Sequence, residues 1–448
     1  MTTNEATELM LRYLEGHADE VEVARLQAAL RTSPELVAMC AEISRQHLQL
    51  RELGEEAAVR ERAPELRVIE GGLTRPRFLR PAWIIAAAAA AVVALATFLF
   101  LQPGKTPRAA IMAEVVSSEN AGADWLKGAH VSLGALDLAT GTVQLRLENG
   151  ALVTLTAPVA AEFISPLRVR VQRGQLTADV SGGGKGFVVE ANGAEVVDLG
   201  TQFGVKVREK GETDVVVFEG EVQLQKASIS KSKPWMNLNG GEAVSLDTAQ
   251  HATRIQAVYG EAGNAGWSLE ASGDAATLVQ WVGDNITLPN FQSYYRVLPG
   301  GMKPDAGPYG PNGPHWSEPE GESFPAELLG ADLITTFQDK RFNAEFALTF
   351  SLNHPATVYV MHDNRRPPPE WLRRDFSKTA HSIPLPLPPG MLSAEVAARL
   401  PTDANGRLFL TFRVWKRDVP AGTVVLGESL NSSARIPHFM YGLAIKRR

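Results

Sequence analysis

The 448-residue sequence has a single cysteine, Cys40. No intramolecular disulfide can form, and one thiolate with distant histidines does not complete a Cys-based zinc site. Within an apolar helical pattern, Cys40 reads as a small buried hydrophobe. Positive charge is not in excess either. The net charge is −6, so there is no electrostatic footprint for nucleic acid. Signatures of catalysis are missing: there is no His-Glu-x-x-His, no Gly-x-Ser-x-Gly and no close His/carboxylate cluster. "SGGGKG" (181–186) lacks the Ser/Thr of a phosphate loop after Lys185 and runs into strand-like "FVVE" rather than a helix. It is expected to be a flexible hairpin loop. Glu318, Glu320 and Glu322 lie in a Pro-rich stretch and read as solvated. No cofactor, no metal and no enzymatic activity are expected; a dyad assembled from distant strands is the one remaining route to catalysis.

What is present divides the chain. The length calls for several domains, and 39 glycines and 28 prolines point to a turn-rich, β-heavy body. "PAWIIAAAAAAVVALATFLFL" (81–101) carries no charge. As a helix it would reach ~31 Å, a bilayer core's thickness. It is expected to be one transmembrane helix, with a buried globular helix as the competing reading. Arg60, Arg62, Arg67, Arg75, Arg77 and Arg80 precede it, and only Lys105 and Arg108 follow closely. Residues 59–80 therefore read as a basic juxtamembrane linker. The positive-inside rule keeps the N-terminus cytoplasmic and places residues 102–448 outside.

Residues 1–58 read as a small all-α head. Leu9, Leu11 and Leu14 precede Gly16; Asp19 and Glu22 have capping-box spacing before Val23, Leu26, Ala29 and Leu30. Ser33-Pro34 then opens a third helix with Leu36, Met39, Ile43 and Leu50. Three short helices bury little alone, so a partner is expected. "YLEGHADEVEVARLQAALRTSPELVAMCAEI" resembles the N-terminal domain of anti-sigma factors. His17 and Cys40 cannot make the His-x₃-Cys-x₂-Cys motif of the zinc-binding branch, so the resemblance is to the zinc-free branch. It implies a sigma-factor interface drawn from Leu9, Leu14, Val23, Leu26, Leu30, Leu36, Ile43 and Leu50, positions that the head's own core would also use.

Residues 110–257 alternate with a strand period. Gly-containing turns are expected at Asn149-Gly150, Arg173-Gly174, Asn192-Gly193 and Glu219-Gly220. In "VVDLGTQFGVKV" (196–207), Gly200 interrupts the strand where a bulge or close backbone approach is needed. The ordered set Gly200, Thr201, Phe203, Val205, then Glu219-Gly220, then Gly241-Glu242-Ala243-Val244 resembles the FecR domain. That resemblance implies a bacterial single-pass inner-membrane regulator. A cytoplasmic head would hold or release an extracytoplasmic-function sigma factor, and exported β domains would sense an envelope signal. The long tail departs from the best-studied members, so iron-transport signalling is not carried over.

Residues 276–448 are expected to form a C-terminal all-β sandwich-like domain. It is interrupted by a Pro/Gly-rich loop (299–325) and similar to modules appended to envelope proteins, some of which accompany carbohydrate-active enzymes. Tyr359, His362, Asp363, Arg365, Trp371 and Tyr441 could line a glycan-binding face; ordinary sandwich packing is the competing reading. The expected fold is thus multidomain: helical head, one membrane helix, FecR-like β domain and β sandwich. The expected partners are a sigma factor, the membrane, and an envelope protein or polysaccharide, with no nucleic acid. The alternative is a membrane-anchored structural or carbohydrate-binding envelope protein without a sigma partner.

Overall fold

A computed structural model of the chain describes residues 111–226, 235–261, 266–272, 277–288, 290–311, 313–337, 345–391, 397–403, 406–429 and 439–448. They belong to one compact unit, Lys105–Arg448. Their regular structure is almost entirely strand, gathered into sheets of 14, 8 and 3 strands. The α-helix Glu370–Asp375 is short, and none of the described residues forms a helix long and apolar enough to cross a membrane. This corrects the mixed fold class expected from sequence: what is described is all-β. The reason is a period-2 alternation of apolar residues, broken by turn residues, in the strand segments that follow residue 111. The helical head (1–58), the linker (59–80) and the apolar segment (81–101) lie outside the described residues.

The 14-stranded sheet is organised by one long hairpin, Leu152–Ser165 and Arg168–Asp179. Its ladder slips between Thr156 and Ala160, and such irregularities bend a strand and raise its twist. Each arm therefore serves two sets of neighbours. Leu152–Ser165 pairs with Thr142–Leu147 near its start and with Ala135–Leu138 further on. Arg168–Asp179 pairs in parallel with Val188–Ala191 and antiparallel with Gln202–Val207. The sheet closes over a single core that includes Leu145, Val153, Leu155, Leu176, Phe187, Val196, Phe203, Val217 and Leu224.

Asn192-Gly193 forms the expected turn, both residues having positive φ, as a two-residue hairpin of this sequence requires. Arg173-Gly174 does not turn the chain. It is the slip inside the long strand, where Ala160 faces Arg173 and Ala161 faces Val171. The "SGGGKG" stretch joins two parallel strands, so it is a crossover loop and not a hairpin.

The 8-stranded sheet begins at Ala257–Gly260 and Trp267–Ser268 and ends on Ser377–Pro386. It packs against the 3-stranded sheet Val279–Asp284, Leu348–Leu352 and Gly422–Leu426. The shared core includes Val282, Phe350, Val360, Phe412 and Leu443. The Pro/Gly-rich loop forms part of that core: Met302, Tyr309, Trp316 and Phe324 are buried, and the Tyr309 hydroxyl donates to the Met440 carbonyl at 2.6 Å.

Candidate functional site

The motif residues come together at two stacked strand corners. Ala194–Asp198 pairs with Val188–Ala191 and Glu221–Lys226. After Leu199-Gly200-Thr201 the chain pairs instead with the long hairpin and with Thr213–Glu219. The second passage mirrors the first: Thr213–Glu219 lies against Gln202–Val207, and beyond Gly220 the chain lies against Ala194–Asp198. Gly200 and Gly220 are therefore points where the chain changes neighbours, and Glu219-Gly220 is such a corner, not the expected hairpin turn. The fit is close. A Cβ on Gly220 would meet the Thr201 methyl at 2.6 Å and the Gly200 carbonyl at 2.8 Å, and Gly220 has φ 81, where side chains are strained.

Asp198 holds the first corner from inside. Its carboxylate is fully buried and accepts the Gly200 N–H at 2.8 Å, the Gly186 N–H at 3.3 Å and the Thr201 hydroxyl. A buried carboxylate is tolerable only with donors of this kind. Phe203 and Val205 leave the corner into the core, both fully buried. Leu199, Gly200, Glu219 and Gly220 stay exposed, so the outer surface of the seam is open to contact. Asp198 was not singled out from sequence. An Asp two residues ahead of a Gly is an Asx-turn pattern that could have identified it.

A second constellation fastens the tail to this sheet. Trp267 is 4% exposed and lies over the backbone of Gly204: a Cβ there would meet ring carbons Cε2 and Cζ2 at 2.5 Å. The indole N–H donates to the Thr177 hydroxyl at 2.9 Å, and the Gln175 amide donates to the Trp267 carbonyl at 2.9 Å. Phe218 meets the ring edge-on, with centroids 5.9 Å apart. Val216, Ile255, Val258 and Tyr294 complete this small core.

Beside it, Arg254 of the 14-stranded sheet makes two 2.8 Å bonds to Asp284 of the 3-stranded sheet. The same carboxylate accepts the hydroxyl of Tyr295, from the 8-stranded sheet, at 2.8 Å. All three sheets thus meet at one fully buried carboxylate. The guanidinium also sits 4.4 Å from the Phe291 ring centroid, a cation–π contact. Burial and the adjacent Asp284 charge push the Tyr295 phenol well above its ordinary range, so it is a fixed donor. Nothing in the sequence pattern marked Trp267, Arg254 or Asp284, which are partners from distant strands.

Of the six residues proposed to face a glycan, His362 and Asp363 end the strand Ala356–Asp363, Tyr359 lies in its middle, and Arg365, Trp371 and Tyr441 lie outside it. Tyr359, His362, Asp363 and Tyr441 are buried. Asp363 pairs with Arg365 at 2.6 Å. The Trp371 N–H donates to the Glu428 carbonyl at 2.9 Å, and its ring meets Tyr441 edge-on at 5.7 Å. Burial holds the His362 imidazole down to about 4, neutral in ordinary conditions. Tyr359, His362, Asp363 and Tyr441 are thus withdrawn from the surface, while Arg365 and Trp371 keep partial exposure. The proposed sigma-interface leucines, with Val23 and Ile43, lie outside the described residues.

Residues 137–223 match the model of the FecR protein family. The chain therefore carries a FecR domain, which begins on Ala135–Leu138, a strand that pairs with the long hairpin, and ends on Glu221–Lys226 of the seam. Two crystal structures of a proposed anti-sigma factor from Parabacteroides distasonis ATCC 8503 are similar, at 25% sequence identity over 27% of this chain, with TM-scores of 0.23 and 0.22. The matched region spans 58% of those chains. A β-glucuronidase from glycoside hydrolase family 2 is similar at 10% identity over 70% of this chain and 38% of its own, with a TM-score of 0.28. At such scores none of the three carries an argument about shape. No curated protein matches the chain.

Proposed function

We propose that the chain is a FecR-type regulator that controls a sigma factor, with the β body acting as its sensor of an envelope signal. The observation that carries this is the FecR match over 137–223, together with the convergence of its motif residues on the stacked corners at Gly200 and Gly220. The FecR family is regulatory and not enzymatic, and no catalytic step is proposed. The sigma-factor contact falls to Leu9, Leu14, Val23, Leu26, Leu30, Leu36, Ile43 and Leu50 on the sequence pattern alone. Placement of the β body outside the cytoplasm likewise rests on the arginines of 60–80.

Signalling would be a population shift. A ligand acts only if it binds two states of the β body with different affinity. The Arg254–Asp284–Tyr295 junction and the Trp267–Gly204 contact favour a body in which tail and FecR domain respond together, because moving one against the other would strand a buried charge.

The test is genetic. Deleting the gene should change a defined set of transcripts that share one promoter motif, and restoring residues 1–448 should reverse it. An unchanged transcript profile under envelope stress would remove the regulator reading.

A further inference from the structure

Trp281 is 48% exposed and lies within the strand Val279–Asp284. One face of its ring is held: a Cβ on Gly283 would meet ring atom Cζ2 at 2.6 Å. Its cross-strand neighbour is Ser351, and Gly283 faces Thr349, so no bulky side chain beside it on the sheet covers the ring. The ring borders a cleft of about 560 Å³, within the ~300–1,000 Å³ of small-ligand sites. The opposite wall comes from the FecR-bearing sheet through Arg208, Ser245 and Thr253, with Gln256, Glu270 and Gln280 between.

We infer that this cleft is a binding site for a neutral pyranose oligosaccharide whose hydroxyls are equatorial. A pyranose with equatorial hydroxyls presents C–H groups on its faces and hydroxyls at its rim. It therefore needs a flat aromatic ring with planar amide, carboxylate and hydroxyl groups around it. The cleft supplies that set. Its cations are paired, Arg208 with Asp214 at 2.7 Å and Arg254 with Asp284 at 2.8 Å, and Glu270 adds a further carboxylate, leaving no surplus of cations for a polyanion. A protein anchor would need an apolar surround that excludes water, whereas this cleft sets Ser245, Thr253, Gln256 and Gln280 among Tyr259 and Leu269. The inference rests on the sensor reading above and deepens it, because the ligand would touch the FecR-bearing sheet and the tail at once.

The test is calorimetric titration of the full chain with cellohexaose and with chitohexaose, and polygalacturonate as the charged counterpart. At least one neutral oligosaccharide should bind. Trp281→Ala should weaken it roughly tenfold or more with an unchanged Tm, and Trp281→Phe should restore part of the affinity. No binding of either at millimolar concentration, binding indifferent to Trp281→Ala, or tighter binding of polygalacturonate would each overturn the inference. So would a Trp281-dependent envelope protein in the absence of sugar binding. Recovery of a sigma factor from the same preparation separates the two readings. Sigma recovered without sugar binding ends this inference alone; sugar binding without sigma ends the regulator reading.

Discussion

Replacing Gly204 by alanine adds one methyl group to a strand whose backbone accepts any residue, yet the change should be severe. The new Cβ would stand 2.5 Å from two carbons of the Trp267 ring, against an ordinary separation of about 3.5–4.0 Å. The ring cannot retreat cheaply. Its N–H is bonded to Thr177, its carbonyl to Gln175, and its flank to Phe218. Two limits bound the cost. If the strands spread and keep the ring, overpacking costs about 1–3 kcal/mol. If the ring is expelled, the loss approaches that of Trp267→Ala, about 3–5 kcal/mol.

The informative measurement is a double-mutant cycle followed by urea unfolding. With Trp267→Ala in place, Gly204→Ala should be within about 0.5 kcal/mol of neutral, because the space is then open and alanine restricts the unfolded chain more than glycine does. The coupling should exceed about 1 kcal/mol. If Gly204→Ala costs as much without the indole as with it, the ring is not what excludes a side chain at this position.

Three further outcomes follow from the geometry. Asp198→Ala should lower stability by about 3 kcal/mol, since it strands three donors at a closed corner, while Glu219→Ala on the exposed side should stay within about 0.5 kcal/mol; thermal melting compares them. Asp284→Asn should cost about 3–5 kcal/mol by leaving Arg254 buried without its counter-charge, and Arg254→Met in the same chain should recover part of that loss. His362 has a folded-state value of about 4 against 6.5 for the free group. Its contribution is therefore intact above pH 6.5 and lost as the pH falls toward 4, by roughly 3 kcal/mol in total. His362→Gln should flatten this part of the stability–pH curve, and an unchanged slope would contradict the burial of a neutral imidazole.

The β body and the motif were legible because both have local signatures. Alternation at period 2 marks strands wherever one face is buried, and Asn192-Gly193 can form its turn from its own two residues. Position in the sheet was not legible. Arg173-Gly174 and Glu219-Gly220 look like turns in sequence, yet one is a slip within a strand and the other a change of neighbours. Both depend on which distant strand lies alongside. Trp267 stood in a stretch with no periodicity, and only the glycine at 204, 63 positions earlier, explains its place. Tyr359, His362 and Tyr441 looked like ligand groups because aromatic and titratable side chains suit binding sites. Tyr359 and His362 on Ala356–Asp363, and Tyr441 just ahead of Gly442–Arg447, are buried instead.

The central claim is that this FecR-bearing chain holds a sigma factor. Tagged full chain, extracted from its own cells and analysed by mass spectrometry, should carry one sigma factor in near-stoichiometric amount. Leu26→Asp with Leu30→Asp should abolish its recovery while the melting of the β body stays unchanged. A well-folded chain that brings down no sigma factor, or one that still binds it with both leucines changed, would contradict respectively the function and the surface assigned to it.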